Sequence, residues 1–276
     1  MKQAYLVNSQ WLAQQIDNLQ VVIVDCRFKL VEPDWGKHEY DRSHIKGAYY
    51  LSLDRDLSAS VQLHGGRHPL PDLDVLAQKF AKMGIVKNET LVVAYDDSRS
   101  CFASRLWWLL RYMGHDRVAL LDGGWDDWIK HDYPTSKVIP KPKMGSFIPQ
   151  QNSDWLVDIN AVKSASNKDE TIIVDSRDSD RYAGLNEPID PIAGSIPTAV
   201  NSPWKQTTDE AGYFKPLEAQ QQLWDKYRDA DEIVVYCGSG VTACVNLLSL
   251  TVAGFNNIKL YPGGWSDWCS YLDTQQ

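Results

Sequence analysis

The sequence lacks the features that mark metal sites and disulfide frameworks. Its 276 residues hold five cysteines, Cys26, Cys101, Cys237, Cys244 and Cys269, an odd number with no CxxC pair. Zinc sites and a disulfide scaffold are therefore not expected, and a reducing cytoplasm suits the chain. No apolar run approaches transmembrane length, and Met1–Asn8 lacks the long apolar core of a signal peptide. The net charge of −8 argues against non-specific nucleic-acid binding. No phosphate-binding glycine loop, metal cluster or flavin signal is present, so no cofactor is expected. Low-complexity tails are absent as well.

What is present comes twice. Val22-Ile23-Val24-Asp25-Cys26-Arg27 returns 150 residues later as Ile172-Ile173-Val174-Asp175-Ser176-Arg177. Leu6-Val7-Asn8 returns as Leu156-Val157-Asp158, in each case an apolar strand, a capping residue and a helical pattern. His44-Ile45-Lys46-Gly47-Ala48 matches Ser195-Ile196-Pro197-Thr198-Ala199, and each copy closes with Gly-Gly-Trp, at 123–125 and 263–265. Leu73 to Met83 and Leu217 to Tyr227 read as amphipathic helices. The strands are continuous apolar runs alternating with helices, which predicts an α/β fold. Each copy is expected to be a small parallel sheet covered by helices. The Pro- and Lys-rich stretch 136–145 reads as a linker, giving domains 1–145 and 146–276. The first copy is expected to supply one wall of a cleft.

Cys237 stands where the second copy passes from strand to helix. Ile233-Val234-Val235-Tyr236 reads as a buried strand, and Val245 to Ala253 as a helix closed by Gly254. Between them Cys237-Gly238-Ser239-Gly240-Val241-Thr242 is a glycine-bearing turn at the positive end of the helix, a setting in which a cysteine acts as a nucleophilic thiolate. The first copy has Asp96 at the matching position and no glycine in Asp97-Ser98-Arg99-Ser100-Cys101. Only the second copy hosts the thiol. Phosphate-ester hydrolysis needs an arginine at the end of such a loop. Ala243 occupies that place, and no arginine lies between Cys237 and Gly254. Disulfide exchange needs a partner, and Cys244 reads as a packed core residue. Sulfur transfer needs only the thiolate and a cradle of donors, to which Ser239 and Thr242 add hydroxyls.

Over nearly its whole length the sequence resembles the tandem-domain rhodanese-like sulfurtransferases. The resemblance rests on CGSGVTA at 237–243, the two fused copies, Asp175-Ser176-Arg177 ahead of Ser195-Ile196-Pro197-Thr198-Ala199, and the Gly-Gly-Trp endings. CGSGVTA resembles the 3-mercaptopyruvate branch of the family, whereas the thiosulfate branch carries basic residues after the cysteine. The resemblance implies a silent first domain, a persulfide on Cys237, a small anionic sulfur donor and a ping-pong cycle. The acceptor would be cyanide, a small thiol or a thioredoxin-like protein. It implies catalytic roles for Cys237 and Ser239, with Arg177, Arg181, Gly238, Gly240, Val241 and Thr242 holding the substrate. His44 is a further candidate, through a nearby acid, Asp34 or Asp41, and the loop serine. Arg177 has a counterpart at Arg27 in the silent copy, which also fits a role in the fold. His64, Arg67 and His68, in an insertion peculiar to the first copy, read as a solvated loop. Thiosulfate transfer, or non-catalytic sulfur carriage, is the alternative reading.

Overall fold

The repeated apolar runs form parallel strands in the computed structural model, which describes residues 5–166 and 170–272. Met1–Ala4, part of the N-terminal stretch read above, lies outside the described residues. The chain divides into two compact units. The first comprises residues 1–59, 71–152 and 210–214, and the second 60–70, 153–209 and 215–276.

The first unit contains β1 (Leu6–Val7), β2 (Val21–Asp25), β3 (His44–Ile45), β4 (Tyr49–Tyr50), β5 (Leu91–Tyr95), β6 (Val118–Leu121) and β7 (Thr135–Ser136). Its main sheet runs β1-β6-β5-β2-β4, every pair parallel, and β3 pairs antiparallel with β7. The second unit contains β8 (Thr171–Asp175), β9 (Val200–Asn201), β10 (Glu232–Tyr236) and β11 (Ile258–Leu260), in the parallel order β11-β10-β8-β9. β-Branched residues dominate the central strands because helices bury both faces. Val22–Asp25, Val92–Tyr95 and Ile233–Tyr236 are buried throughout. Around the sheets pack Leu12, Ile45 and Trp128 in one unit, and Val162, Ile196 and Trp265 in the other.

Helices form at Leu73–Lys82 and Leu217–Trp224, the latter running on into a 3-10 turn at Asp225–Tyr227. Asn8 and Asp158 cap equivalent helices, accepting from the backbone N–H of Trp11 and of Ala161, each at 2.8 Å. Two expectations change. Leu156 forms only an isolated bridge to Leu260 rather than a strand. The boundary moves from 145 to 152, because residues after 142 bond to the first unit. Lys143 N–H donates to Lys82 O, Ser146 N–H to Ile85 O, and Asn152 N–H to Tyr112 O. Among the described residues no helix is long and apolar enough to cross a membrane.

Candidate active site

Cys237 directly follows β10 and is 2% exposed. The helix Ala243–Ala253 begins six residues later, and nine of its eleven residues are buried. A helix buried on nearly all sides holds the turn at its N-terminus rigidly. Gly240 takes φ +70°, and a Cβ there would lie 2.3 Å from Pro262 O, so only glycine fits. Cys244 is the buried core residue its sequence context suggests. Its Sγ donates to Gly240 O at 3.4 Å, bracing the turn from within the helix.

The Gly-Gly-Trp segments explain themselves at this level. Trp265 N–H donates to Cys237 O at 2.8 Å, and Ser266 N–H to Gly238 O at 2.9 Å. Gly264, at φ +61°, lets the two backbones meet, since a Cβ there would lie 2.5 Å from Cys237 O. The first unit repeats this, with Trp125 N–H on Asp96 O at 2.9 Å and Gly124 against the same carbonyl.

The first unit also shows what such a turn gathers. Asp96 Oδ1 accepts from the N–H groups of Ser98 and Ser100, and Oδ2 from those of Phe102 and Ala103, all within 3.0 Å. Lacking glycine, this turn places Arg99 and Ser100 in the left-handed region, at φ +58° and +63°. Burial raises the Asp96 pKa against the lowering effect of its backbone hydrogen bonds.

Residues 60–70 belong to the second unit, and the solvated-loop reading, which holds for exposed His64, is corrected for Arg67 and His68. His64 stacks on Tyr271 and hydrogen-bonds Ser270 Oγ at 2.7 Å. Gly65 N–H donates to Asp267 Oδ1 at 2.7 Å, and Arg67 N–H to Ser266 Oγ at 3.1 Å. His68 is 7% exposed, and its Nδ1 lies 2.7 Å from Ser239 Oγ. The signal available in the sequence was an insertion, present in one copy only, that joins turn glycines to titratable side chains.

His44 lies elsewhere. It is fully buried in the first unit, stacked on Tyr40, with Nδ1 2.6 Å from Tyr40 O and Nε2 3.2 Å from Val138 O. The acids proposed for it are engaged with other groups, Asp34 with Arg55 and Asp41 with Lys37. His44 holds the fold; the histidine at Ser239 is His68.

Arg177 is also corrected. Its guanidinium grips Asp175 through Nε and Nη2 (2.6 Å), donates to Gly194 O at 2.7 Å, and reaches Glu187 through Nη1 at 3.1 Å. Arg27 makes the same grip on Asp25 and on Ser43 O. Both guanidinium groups lie over the Gly-Gly-Trp tryptophans, at 4.1 Å for Trp125 and 5.0 Å for Trp265. Burial opposes the Arg177 charge, but bonded Asp175 outweighs it and the pKa rises. With its side chain 1% exposed, Arg177 is a strut of the fold.

Arg181 stays beside the turn. Its Nη2 pairs with Glu187 at 2.7 Å and with Asp190 at 3.0 Å. Nη1 and Nη2 lie 3.7 and 3.6 Å from where a Cβ on Gly238 would be. Arg67 pairs with the other oxygen of Asp190. Burial lowers the Arg67 pKa, neighbouring Arg181 adds to that, and Cys237 opposes it. Ser239 and Val241 are buried and Thr242 half-buried. Cys269 donates to Ile192 O at 3.7 Å, and burial pushes its thiol up to about 11, so it stays protonated.

Residues 8–131 and 158–271 each match the family described as the Rhodanese-like domain. The chain is 39% identical over 273 residues to a Pseudomonas aeruginosa protein named probable 3-mercaptopyruvate sulfurtransferase, covering 97% of this chain and 96% of that one. It is 29% identical over 279 residues to a thiosulfate sulfurtransferase of Rattus norvegicus, covering 95% and 91%. The crystal structure of SseA from Escherichia coli, a 3-mercaptopyruvate sulfurtransferase, superposes with a TM-score of 0.83 at 30% identity, covering 95% of this chain and 99% of that one.

Proposed function

This chain belongs to the rhodanese-like domain family as a two-copy sulfurtransferase, and from that membership we propose that it moves sulfur from 3-mercaptopyruvate through a persulfide on Cys237. The observation that carries the reading is the contrast at one position of the repeat. In the silent unit the Asp96 carboxylate fills its own ring of backbone donors. In the other, a cysteine replaces the carboxylate, and glycines open the turn.

The steps follow from that. The Cys237 thiolate attacks the donor sulfur, forming an S–S bond as the C–S bond breaks. The electron pair of that bond leaves as the enolate of pyruvate. Ser239 Oγ, bonded to His68, is the group placed to hand the enolate a proton. The turn 238–242, one residue shorter than the turn 97–102 that follows Asp96, offers its own backbone N–H groups to the charge on the terminal sulfur. A thiol acceptor, a small thiol or a thioredoxin-like protein, or cyanide then takes that sulfur and frees the thiolate. All five cysteines are free thiols, which suits a reducing cytoplasm.

Thiosulfate is the second reading, favoured by the two guanidinium groups beside Gly238, which also suit a dianion. Intact-mass measurement tests the covalent step. Treatment with 3-mercaptopyruvate is expected to add one sulfur atom, removable by a thiol. Cys237→Ser is expected to gain nothing; a sulfur gained by that variant, or none gained by the native chain, contradicts the mechanism.

A further inference from the structure

We propose that Arg67, together with Arg181, binds the anionic group of the sulfur donor over the Cys237–Gly238 peptide. The proposal rests on the sulfurtransferase reading above and names the group that recognises its substrate.

Three observations carry it. The first is positioning. The backbone N–H groups of Gly65 and Arg67 are bonded to Asp267 and Ser266, and the next side chain, His68, is bonded to Ser239. Gly66, at φ +77°, sits so close to Gly263 that a Cβ would lie 2.3 Å from its carbonyl oxygen. A segment docked on both sides of Arg67 delivers its guanidinium to a fixed place.

The second is the shared carboxylate. Asp190, its side chain 1% exposed, takes Arg67 Nη1 on one oxygen and Arg181 Nη2 on the other. One buried acid thus holds two guanidinium groups side by side. Glu187 adds a second negative charge through Arg181. The pair is balanced in charge by Asp190 and Glu187, so its attraction for an anion comes from directed N–H donors rather than from excess positive charge.

The third is the donors left over. Arg67 Nη2 and Arg181 Nη1 donate to no described residue. The two side chains are 30% and 15% exposed, so an incoming ligand can reach them. Both nitrogens lie beside Gly238, 2.8 Å and 3.7 Å from the place of a Cβ. A carboxylate bridging them would hold the rest of a small donor within reach of the neighbouring Cys237. The same distances explain the glycine, since any side chain at 238 displaces Nη2.

Steady-state kinetics of the full chain with 3-mercaptopyruvate test the proposal, with pyruvate product inhibition as a binding readout that needs no turnover. Arg67→Ala is expected to raise KM and the pyruvate inhibition constant together by about tenfold or more, while kcat changes less than about threefold. Arg67→Lys, which keeps the charge and loses the fork, is expected to fall between. Gly238→Ala is expected to raise KM in the same direction. If Arg67 serves only to clamp residues 60–70, Arg67→Ala lowers kcat and thermal stability and leaves KM and pyruvate inhibition unchanged; that result overturns the proposal. Should the native chain turn over thiosulfate and not 3-mercaptopyruvate, the donor named above is wrong. The KM of Arg67→Ala for thiosulfate then decides Arg67 by itself, an unchanged value overturning its role.

Discussion

Buried histidines differ by what their two nitrogens touch, and three in this chain make the point. His44 faces two backbone carbonyls and His68 faces a serine hydroxyl. His115 accepts from Asn88 N–H at Nδ1 and donates from Nε2 to Arg117 O, each at 3.0 Å. That pattern requires the neutral imidazole, because protonating Nδ1 sets one N–H against another. Burial accordingly lowers the His115 pKa from 6.5 to about 4. A lowered folded-state value means that its contribution is complete above pH 6.5 and is lost as pH falls towards 4. The shift corresponds to about 3 kcal/mol. In urea unfolding, His115→Asn is expected to be less stable than the native chain at pH 7.5, with the gap closing by pH 4.5. A gap independent of pH contradicts the assignment. Cys237 was legible at this scale because its neighbours in sequence are its neighbours in space. His68 and Arg67 were not, since their partners Ser239 and Asp190 lie more than 120 residues away. Arg177 was misleading because a strut and an anion receptor look the same in sequence. Its twin Arg27 was the available warning. The turn at 238–239 is uncharged, but the structure brings two guanidinium groups to it from outside.

At the scale of elements, the strand–turn–helix unit and the Gly-Gly-Trp segment are one device. The tryptophan N–H holds the carbonyl of the residue at the turn, and the second glycine lets it approach. The motif was readable as a repeat, but its purpose was not, because it depends on a backbone contact between distant segments. Gly264→Ala forces a side chain into φ +61° and against Cys237 O at 2.5 Å. Gly124→Ala does the same against Asp96 O at 2.2 Å. Each is expected to cost about 3 kcal/mol or more, combining left-handed strain with a backbone clash. In thermal unfolding both variants should fall well below the native chain. Only Gly264→Ala should also lose sulfur transfer measured well below its unfolding range. Equal loss of transfer in both would separate the device from the chemistry.

For the whole molecule, duplication made the α/β fold and the parallel sheets readable, since each copy checks the other. The assignment of segments to units was not readable. Residues 60–70 belong to the second unit and residues 210–214 to the first, where Tyr213 hydroxyl bonds Asp127 and Phe214 N–H donates to Asp122 at 2.8 Å. Pattern and periodicity describe a segment's own conformation and carry no information about which sheet it will pack on. The duplication also sets the functional account. One copy keeps a carboxylate in its ring of donors, and the other carries at the matching position the thiol proposed to accept sulfur. The most direct test of that account compares donors. With one acceptor and the full chain, kcat/KM for 3-mercaptopyruvate is expected to exceed that for thiosulfate by about tenfold or more. A ratio at or below one contradicts it.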